Sequence, residues 1–525
     1  MRVLAMTTAA VSLAALRLIA ASPSPNSPST SNSSSTSSAS ATHSILPAEG
    51  AAKALLNSTH RHREWVNLAV GSGRVMVFIV YPERSDKAPV VLVTAKNQGA
   101  SDWIRAVSDQ VAANGFIAIV PDLLTGRGPK GGDSDSFTSP DELTQALDRM
   151  PAEEIARRNQ AALAYAVALP AANDQIARLD LDRRSARIDA AVDQPSDRKS
   201  ANFKLTSQSW NQALDFLTAQ TGNKPVAGAN VFAEEHAGHD HAAMLLAMAK
   251  ASPQDNGKKD GKKGGGGPRG YPMGKLPEFP AGTFTATSTI LHSTLKKEFV
   301  NIPVGDVMVH TWIEYPEGNG KAPVVVVMQH GPGLDDWQRA LADQLASQGF
   351  IAVAADLYSG LGPNGGNYDS FEGTDAAMRA SARLTPEEAM RRYKAAYDYG
   401  MKLPRANGKS ASLGFCAGGT YSFRFAAEVP EVNAAVVFYG TQPAEALMAK
   451  IKAPVLQFFG DDDARVTATM EPTQAAMKKL GKDYEAHSYP HATHGFMEYQ
   501  DVGGNPGAVS DSWPRAIAFL KDHTN

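Results

Sequence analysis

A single cysteine occurs among 525 residues, and its neighbours are those that a nucleophile needs. It lies in Leu413-Gly414-Phe415-Cys416-Ala417-Gly418-Gly419. A short strand signal at Ser410–Leu413 precedes it, and Thr420 to Glu428 reads as helix. Strand, tight turn and helix together are the setting that holds a nucleophile out on a strained turn. Gly414 and Gly418 bring no side chain to clash around such a turn. A helix starting just beyond Cys416 aims its N-terminal amides and positive dipole end at the sulfur, which favours thiolate. The backbone N–H of Ala417 then faces a developing oxyanion. One cysteine excludes an intramolecular disulfide. The bland alternative for Cys416 is a small buried hydrophobe.

Two later loops carry the partners that a thiol nucleophile requires. The apolar strand Pro454–Phe459 runs into Gly460-Asp461-Asp462-Asp463-Ala464-Arg465-Val466. Another short strand runs into His487-Ser488-Tyr489-Pro490-His491-Ala492-Thr493-His494-Gly495-Phe496. In open α/β sheets, sites form at the carboxyl ends of strands. A histidine there takes the thiol proton and returns it to the leaving group, while a carboxylate orients the imidazole. Three aspartates and three histidines compete for these two roles.

The elements that must position these loops come from a duplication. Lys87-Ala88-Pro89-Val90-Val91 matches Lys321-Ala322-Pro323-Val324-Val325, and Trp103 matches Trp337. A constant offset of 234 holds from Tyr81/Tyr315 to Pro170/Pro404. Val324–Met328 is a continuous apolar run, as expected of a strand covered on both faces. Asp336 to Gln348 has helical spacing, with Leu341, Leu345 and Ala346 on one side. Alternating strands and helices predict a mostly parallel sheet with helices on both faces. After Pro170 the copies diverge. About two dozen polar residues intervene in the first copy before Lys199-Ser200-Ala201 resumes the match to Lys409-Ser410-Ala411. That alignment sets Thr206 opposite Cys416, with no elbow glycines, and Ala95-Lys96-Asn97 opposite Gln329-His330-Gly331. The first copy stops near Lys250, before any counterpart of Val455 to Asn525. It reads as a non-catalytic domain, packed against the second copy or capping its cleft. Arg391 and Arg392 keep counterparts in Arg157 and Arg158, where the nucleophile is gone, so that pair reads as structural.

Together these motifs resemble the dienelactone hydrolase family over roughly Lys297 to Asp522. Its Gly-x-Cys-x-Gly-Gly motif is matched by Gly414 to Gly419. The resemblance implies an α/β-hydrolase fold and a triad of Cys416, Asp463 and His494. The family acid lies three residues after a strand-ending glycine, and the family base lies in His-x-Phe, here His494 and Phe496. Asp356-Leu357-Tyr358 is also typical. The resemblance further implies a second oxyanion amide near Gly331. Two positions depart from the pattern. His330 stands where the family's His-Glu-x-x-Gly loop has glutamate, and Glu498 stands where an arginine often receives a substrate carboxylate. Both are candidates for the substrate pocket.

Composition bounds the rest. With 43% hydrophobic and 20% charged residues, the chain can bury ordinary cores, and a net charge of −3 leaves no nucleic-acid footprint. Residues 1–21 read as an export signal, with Arg2, an apolar Val3–Leu16 run and a small-residue site at Ala20-Ala21. No later apolar run is long enough to span a bilayer. A periplasmic or secreted location follows. Residues 22–60 are expected to be a Ser/Pro-rich tether, 61–250 the degenerate copy, 251–283 a Gly/Lys-rich linker and 284–525 the catalytic domain. His236-Ala237-Gly238-His239-Asp240-His241 fits no standard zinc spacing and reads as a polar loop. No metal or other cofactor is expected, and oligomeric state is open. The reading is hydrolysis of a small ester or lactone through a thioacyl enzyme. Its rivals are a non-catalytic scaffold and a thioesterase on the same triad.

Overall fold

The computed structural model describes residues 46–95, 97–191, 199–224, 226, 279–500 and 502–525. The export signal, the Ser/Pro tract to residue 45, the His236–His241 cluster and the linker up to residue 278 lie outside the described residues.

Two sheets carry the two copies. The first is built from β1 (Arg63–Val70), β2 (Gly73–Val80), β3 (Ala88–Ala95), β4 (Ile117–Asp122), β5 (Ala172–Leu181), β6 (Ser185–Ala191) and β7 (Lys199–Lys204), in the order β1-β2-β4-β3-β5-β6-β7. The second contains β8 (Lys297–Val304), β9 (Val307–Glu314), β10 (Ala322–Met328), β11 (Ile351–Ala355), β12 (Ala406–Phe415), β13 (Ala434–Phe438), β14 (Val455–Gly460) and β15 (Tyr484–Tyr489). Their order is β15-β14-β13-β12-β10-β11-β9-β8. Strands β10 to β15 pair in parallel, and β8 and β9 add antiparallel edges. Val324 to Val327 are fully buried, because helices cover both faces of a parallel sheet. This is the expected α/β-hydrolase sheet. The first sheet is mixed, with parallel pairing only of β3 with β4 and β5.

The duplication extends to details of bonding. Tyr81 donates to Glu64 at 2.6 Å, and Tyr315 to Glu298 at 2.7 Å. Arg158 bonds the carbonyls of Leu123 and Thr125, and Arg392 those of Leu357 and Ser359. Arg392 is thus a strut for a turn, as its retention in the degenerate copy suggested.

Two expectations from sequence are corrected by the same symmetry. Residues 46–60 are not tether. Ala52–Ser58 is a helix with Ala52 and Leu56 fully buried, and its counterpart is the helix Ala286–His292. The indole N–H of Trp103 donates to Pro47 at 2.9 Å, as that of Trp337 donates to Ala281 at 3.1 Å. The first copy therefore begins by residue 46, and the second by residue 281. Its helix is short but rich in Ala and Leu, good helix formers with apolar surface to bury.

The second correction concerns the position facing Cys416. Ala88 pairs with Ala172 and Leu92 with Arg178, just as Ala322 pairs with Ala406 and Val326 with Ser412. The register slips at the same point in both sheets. Strand β5 is thus the counterpart of β12, and Asp182, not Thr206, stands opposite Cys416. Asp182 accepts from the backbone N–H groups of Arg184 and Ser185 at 2.7 and 2.6 Å. That turn sends the chain back as the antiparallel hairpin β5–β6 where the second copy has its elbow. Thr206 instead caps the helix Ser207–Thr221, its hydroxyl accepting from Ser209 N–H at 3.2 Å.

The two copies share buried contacts. Met378, on the helix Thr374–Ser381, packs into the first copy's core, and Ala464 packs against its other face. Arg105 and Asp375 pair at 2.7 Å. Arg379 is buried against Asp122, Asp133 and Asp135. The N–H of Ala464 donates to the carbonyl of Arg84 at 3.1 Å. These contacts bring the start of β1 over the carboxyl ends of β12, β14 and β15.

Candidate active site

Cys416 sits between β12 and the helix Ala417–Glu428 with φ 55° and ψ −122°. For a residue with a side chain, that left-handed conformation costs on the order of 1–3 kcal/mol. The glycines make the turn possible. A Cβ on Gly414 would lie 2.0 Å from the carbonyl oxygen of Gly418, and one on Gly418 would lie 2.1 Å from that of Met328. Both obstacles are backbone, so neither position admits a side chain without moving the elbow or β10.

The parallel sheet delivers the other two loops. β14 pairs with β15, so the loops after Gly460 and Tyr489 leave the same edge side by side. Asp461 N–H donates to Tyr489 O at 3.0 Å and Asp462 N–H to Ala492 O at 2.9 Å. Of the competing aspartates and histidines, one pair meets. His494 Nδ1 lies 2.5 Å from Asp463 Oδ2, both side chains buried. Asp461 instead accepts from Ser488, and His487 bonds Glu485 at 2.6 Å. Asp463 is also the N-cap of the short helix Ala464–Thr467, which fixes its carboxylate.

Electrostatics couple His494 to the thiol. Burial lowers the pKa of His494, but Asp463 and Cys416 outweigh it and hold it at about 10. Burial pushes the Cys416 thiol up. The His494 charge and hydrogen bond, the His330 charge and the Ala417 N–H outweigh that, so it falls below the ordinary 9.0. Both shifts favour a thiolate–imidazolium pair.

His330 and Glu498, the two departures from the family pattern, touch each other. His330 Nδ1 lies 3.2 Å from Glu498 Oε2, and its Nε2 lies 3.0 Å from Asp335 Oδ2. Burial works against its charge, yet the two carboxylates raise its pKa to about 10. The result is a buried cation clamped between two anions beside Cys416. Gly331 follows it on the same loop, with Tyr358 donating to the Gly331 carbonyl.

One residue at the site was not anticipated from sequence. His62, just before β1, places Nδ1 3.9 Å from Cys416 Sγ across a separation of 354 residues. Its ring meets His494 edge to face, centroids 3.8 Å apart. Burial and the charges of His494, Arg465 and Arg63 hold its pKa well below 6.5, so it is neutral. Glu64, on β1, reaches Arg465 at 2.9 Å and Tyr81 at 2.6 Å. A histidine near a strand start carries no signal in sequence that it will meet a thiol in the other half of the chain.

The model of the dienelactone hydrolase family matches residues 75–178 and 309–524, one segment in each copy. A Synechocystis sp. protein named a carboxymethylenebutenolidase is 27% identical over 233 residues, 42% of this chain and 94% of that protein. A Bradyrhizobium sp. protein named a 2-oxo-3-(5-oxofuran-2-ylidene)propanoate lactonase is 28% identical over 244 residues, 44% of this chain and 96% of that protein. A Klebsiella pneumoniae crystal structure titled as a dienelactone hydrolase superposes with a TM-score of 0.40 at 21% identity, covering 44% of this chain and 99% of that one.

Proposed function

The chain belongs to the dienelactone hydrolase family, a carboxylic ester hydrolase class, and we propose that it cleaves its ester or lactone through a thioacyl intermediate on Cys416. The observation that carries this reading is the 2.5 Å contact of Asp463 with His494, set behind a cysteine held at φ 55° on a glycine-walled elbow. The thiolate attacks the acyl carbonyl, and the amides of Ala417 and Gly331 receive the oxyanion. Each such donor is worth on the order of 10²–10³ in rate. The imidazolium of His494 gives its proton to the departing alkoxide, leaving a thioester. Water then attacks the thioester as His494 takes the water's proton, and the thiolate leaves. Asp463 keeps Nε2 of His494 facing the sulfur throughout.

The pocket favours an acyl group without a free carboxylate next to the reacting carbon. The cation beside Cys416, His330, is already held by Asp335 and Glu498. An anionic substrate would meet two carboxylates there and no unspent charge. We place the mature protein in the periplasm or outside the cell; fractionation that left it in the cytosol would overturn this.

The test is a panel of neutral and carboxylated oxoesters, lactones and thioesters, run on the native chain and on Cys416→Ala. Neutral oxoesters or lactones should be turned over, with formation of an acyl adduct on the cysteine, and Cys416→Ala should lose that turnover. Full turnover by Cys416→Ala would sink the proposal. A clear preference for thioesters would move it to the thioesterase reading.

A further inference from the structure

We propose that Cys416, His494 and His62 form a binding site for a thiophilic divalent transition-metal ion, zinc above all, that joins the two copies and blocks hydrolysis while filled. The three side chains can each offer one ligand atom, and these atoms lie within 4.8 Å of one another. Zinc takes thiolate at about 2.3 Å and imidazole nitrogen at about 2.0–2.1 Å, so tetrahedral geometry sets S and N ligands roughly 3.6 Å apart. The observed separation of Cys416 Sγ from His62 Nδ1 is 3.9 Å. That pair closes by a few tenths of an ångström, and the other two, each within 4.8 Å, by no more than roughly 1.5 Å, the reach of side-chain adjustment.

The surroundings are those of a metal site. A ligating imidazole normally sets its second nitrogen against a carboxylate, which fixes the ring and raises its basicity. His494 does this, with Asp463 2.5 Å behind its Nδ1, while Glu64 lies 4.0 Å from Nε2 of His62, near enough for its charge to act but beyond hydrogen-bond reach. The remaining nitrogen of His494, Nε2, is buried in a residue 7% exposed, and its one partner is the Cys416 sulfur. The other cluster of candidate ligands, His330 with Asp335 and Glu498, differs on this point. Both nitrogens of His330 already face carboxylates at hydrogen-bond distance, so it is an ion pair and not a vacant ligand set.

A metal ion takes Cys416 as thiolate and both histidines as neutral imidazole, so any proton on the thiol or on Nε2 of His494 leaves to solvent as the ion binds. A filled site ties up both the attacking sulfur and the nitrogen that shuttles the proton. It also fixes the first copy over the second, because His62 arrives from the first. The blocking effect rests on the hydrolytic reading above; the binding does not.

Cobalt(II) is the probe, titrated into the metal-free full chain while thiolate-to-cobalt charge-transfer absorption is followed. Only Cys416 can give that band, because it is the single cysteine. One equivalent should saturate the band, zinc should displace the cobalt, and a chelator should restore ester turnover. His62→Ala should weaken binding by more than about 100-fold, beyond what loss of an outer partner costs. His62→Cys supplies a ligand of the same denticity, so it should restore tight binding with a stronger band. Absence of a band in the native chain, or His62→Ala binding as tightly as the native chain, would overturn the site. Zinc inhibition without the band would overturn it too, since the metal would then act elsewhere. A chain that binds as described but hydrolyses nothing when metal-free would overturn the hydrolytic reading and leave the site standing.

Discussion

Replacing Asp463 by asparagine isolates the charge that holds the thiolate. The carboxylate lies 2.5 Å from His494 Nδ1, in a place where both residues are buried. A unit charge removed at about 4 Å in a medium of effective dielectric 20 is worth about 4 kcal/mol, or roughly 3 pK units. That takes His494 from about 10 to near or below its ordinary 6.5. At neutral pH the imidazolium that lowers the Cys416 pKa most is then lost, and burial, the largest influence, is opposed only by the His330 charge and the Ala417 N–H. A thiol at or above 9.0 is no more than about 1% ionised at pH 7. Alkylation by iodoacetamide reads this directly, because every modified sulfur is Cys416. The pH midpoint of alkylation should rise past 9.0 in Asp463→Asn, and the rate at pH 7 should fall 10- to 100-fold or more. Ester turnover should fall further, by up to about 10⁴, since the imidazole also loses its orientation. Asp461→Asn serves as control, because Asp461 faces Ser488 instead. An unchanged alkylation midpoint in Asp463→Asn would refute the chain of reasoning from Asp463 through His494 to the thiolate.

Other outcomes follow from the same contacts. Arg379→Ala leaves Asp122 and Asp133 buried without their cation, so urea unfolding should show a loss of about 3–5 kcal/mol, with the contact between copies the first to open to proteolysis. His330 has its pKa raised in the folded chain, so its contribution is fully present below pH 6.5 and is lost as pH rises through about 10. Stability measured by urea midpoint should decline over that window, and His330→Gln should remove up to about 1.4 kcal/mol per pH unit of the slope. Equal slopes in the two proteins would mean His330 does not carry the proton.

Much of the site could be read from sequence because its demands are local. An elbow needs small residues at fixed offsets from the nucleophile, and a Cβ on Gly414 or Gly418 would meet a backbone oxygen at about 2 Å. Loops at the ends of apolar strands are equally local signals. The choice of Asp463 over Asp461 and Asp462 came only through family resemblance. In the structure it follows from which carboxylate the helix Ala464–Thr467 holds as its cap.

The errors share one cause, which is that a degenerate copy keeps its backbone longer than its residue types. Strand β5 alternates buried and exposed positions because its partner on one side is an antiparallel hairpin with a wet face. Its counterpart β12 is buried throughout from Ser410. The polar residues of β5 therefore read as an insertion, and sequence alone sets Thr206, not Asp182, opposite Cys416. Yet losing the elbow did not remove the first copy from the chemistry. Its turn at Asp182 needs no glycine, its sheet needs no loop for an acid or a base, and the residues released from those duties meet the second copy instead. His62 at Cys416, Glu64 at Arg465 and the Arg84 carbonyl at Ala464 all lie on that meeting face. A duplicate that has lost its own nucleophile has become part of the wall around the other one, which is why no inspection of either copy alone could have found His62.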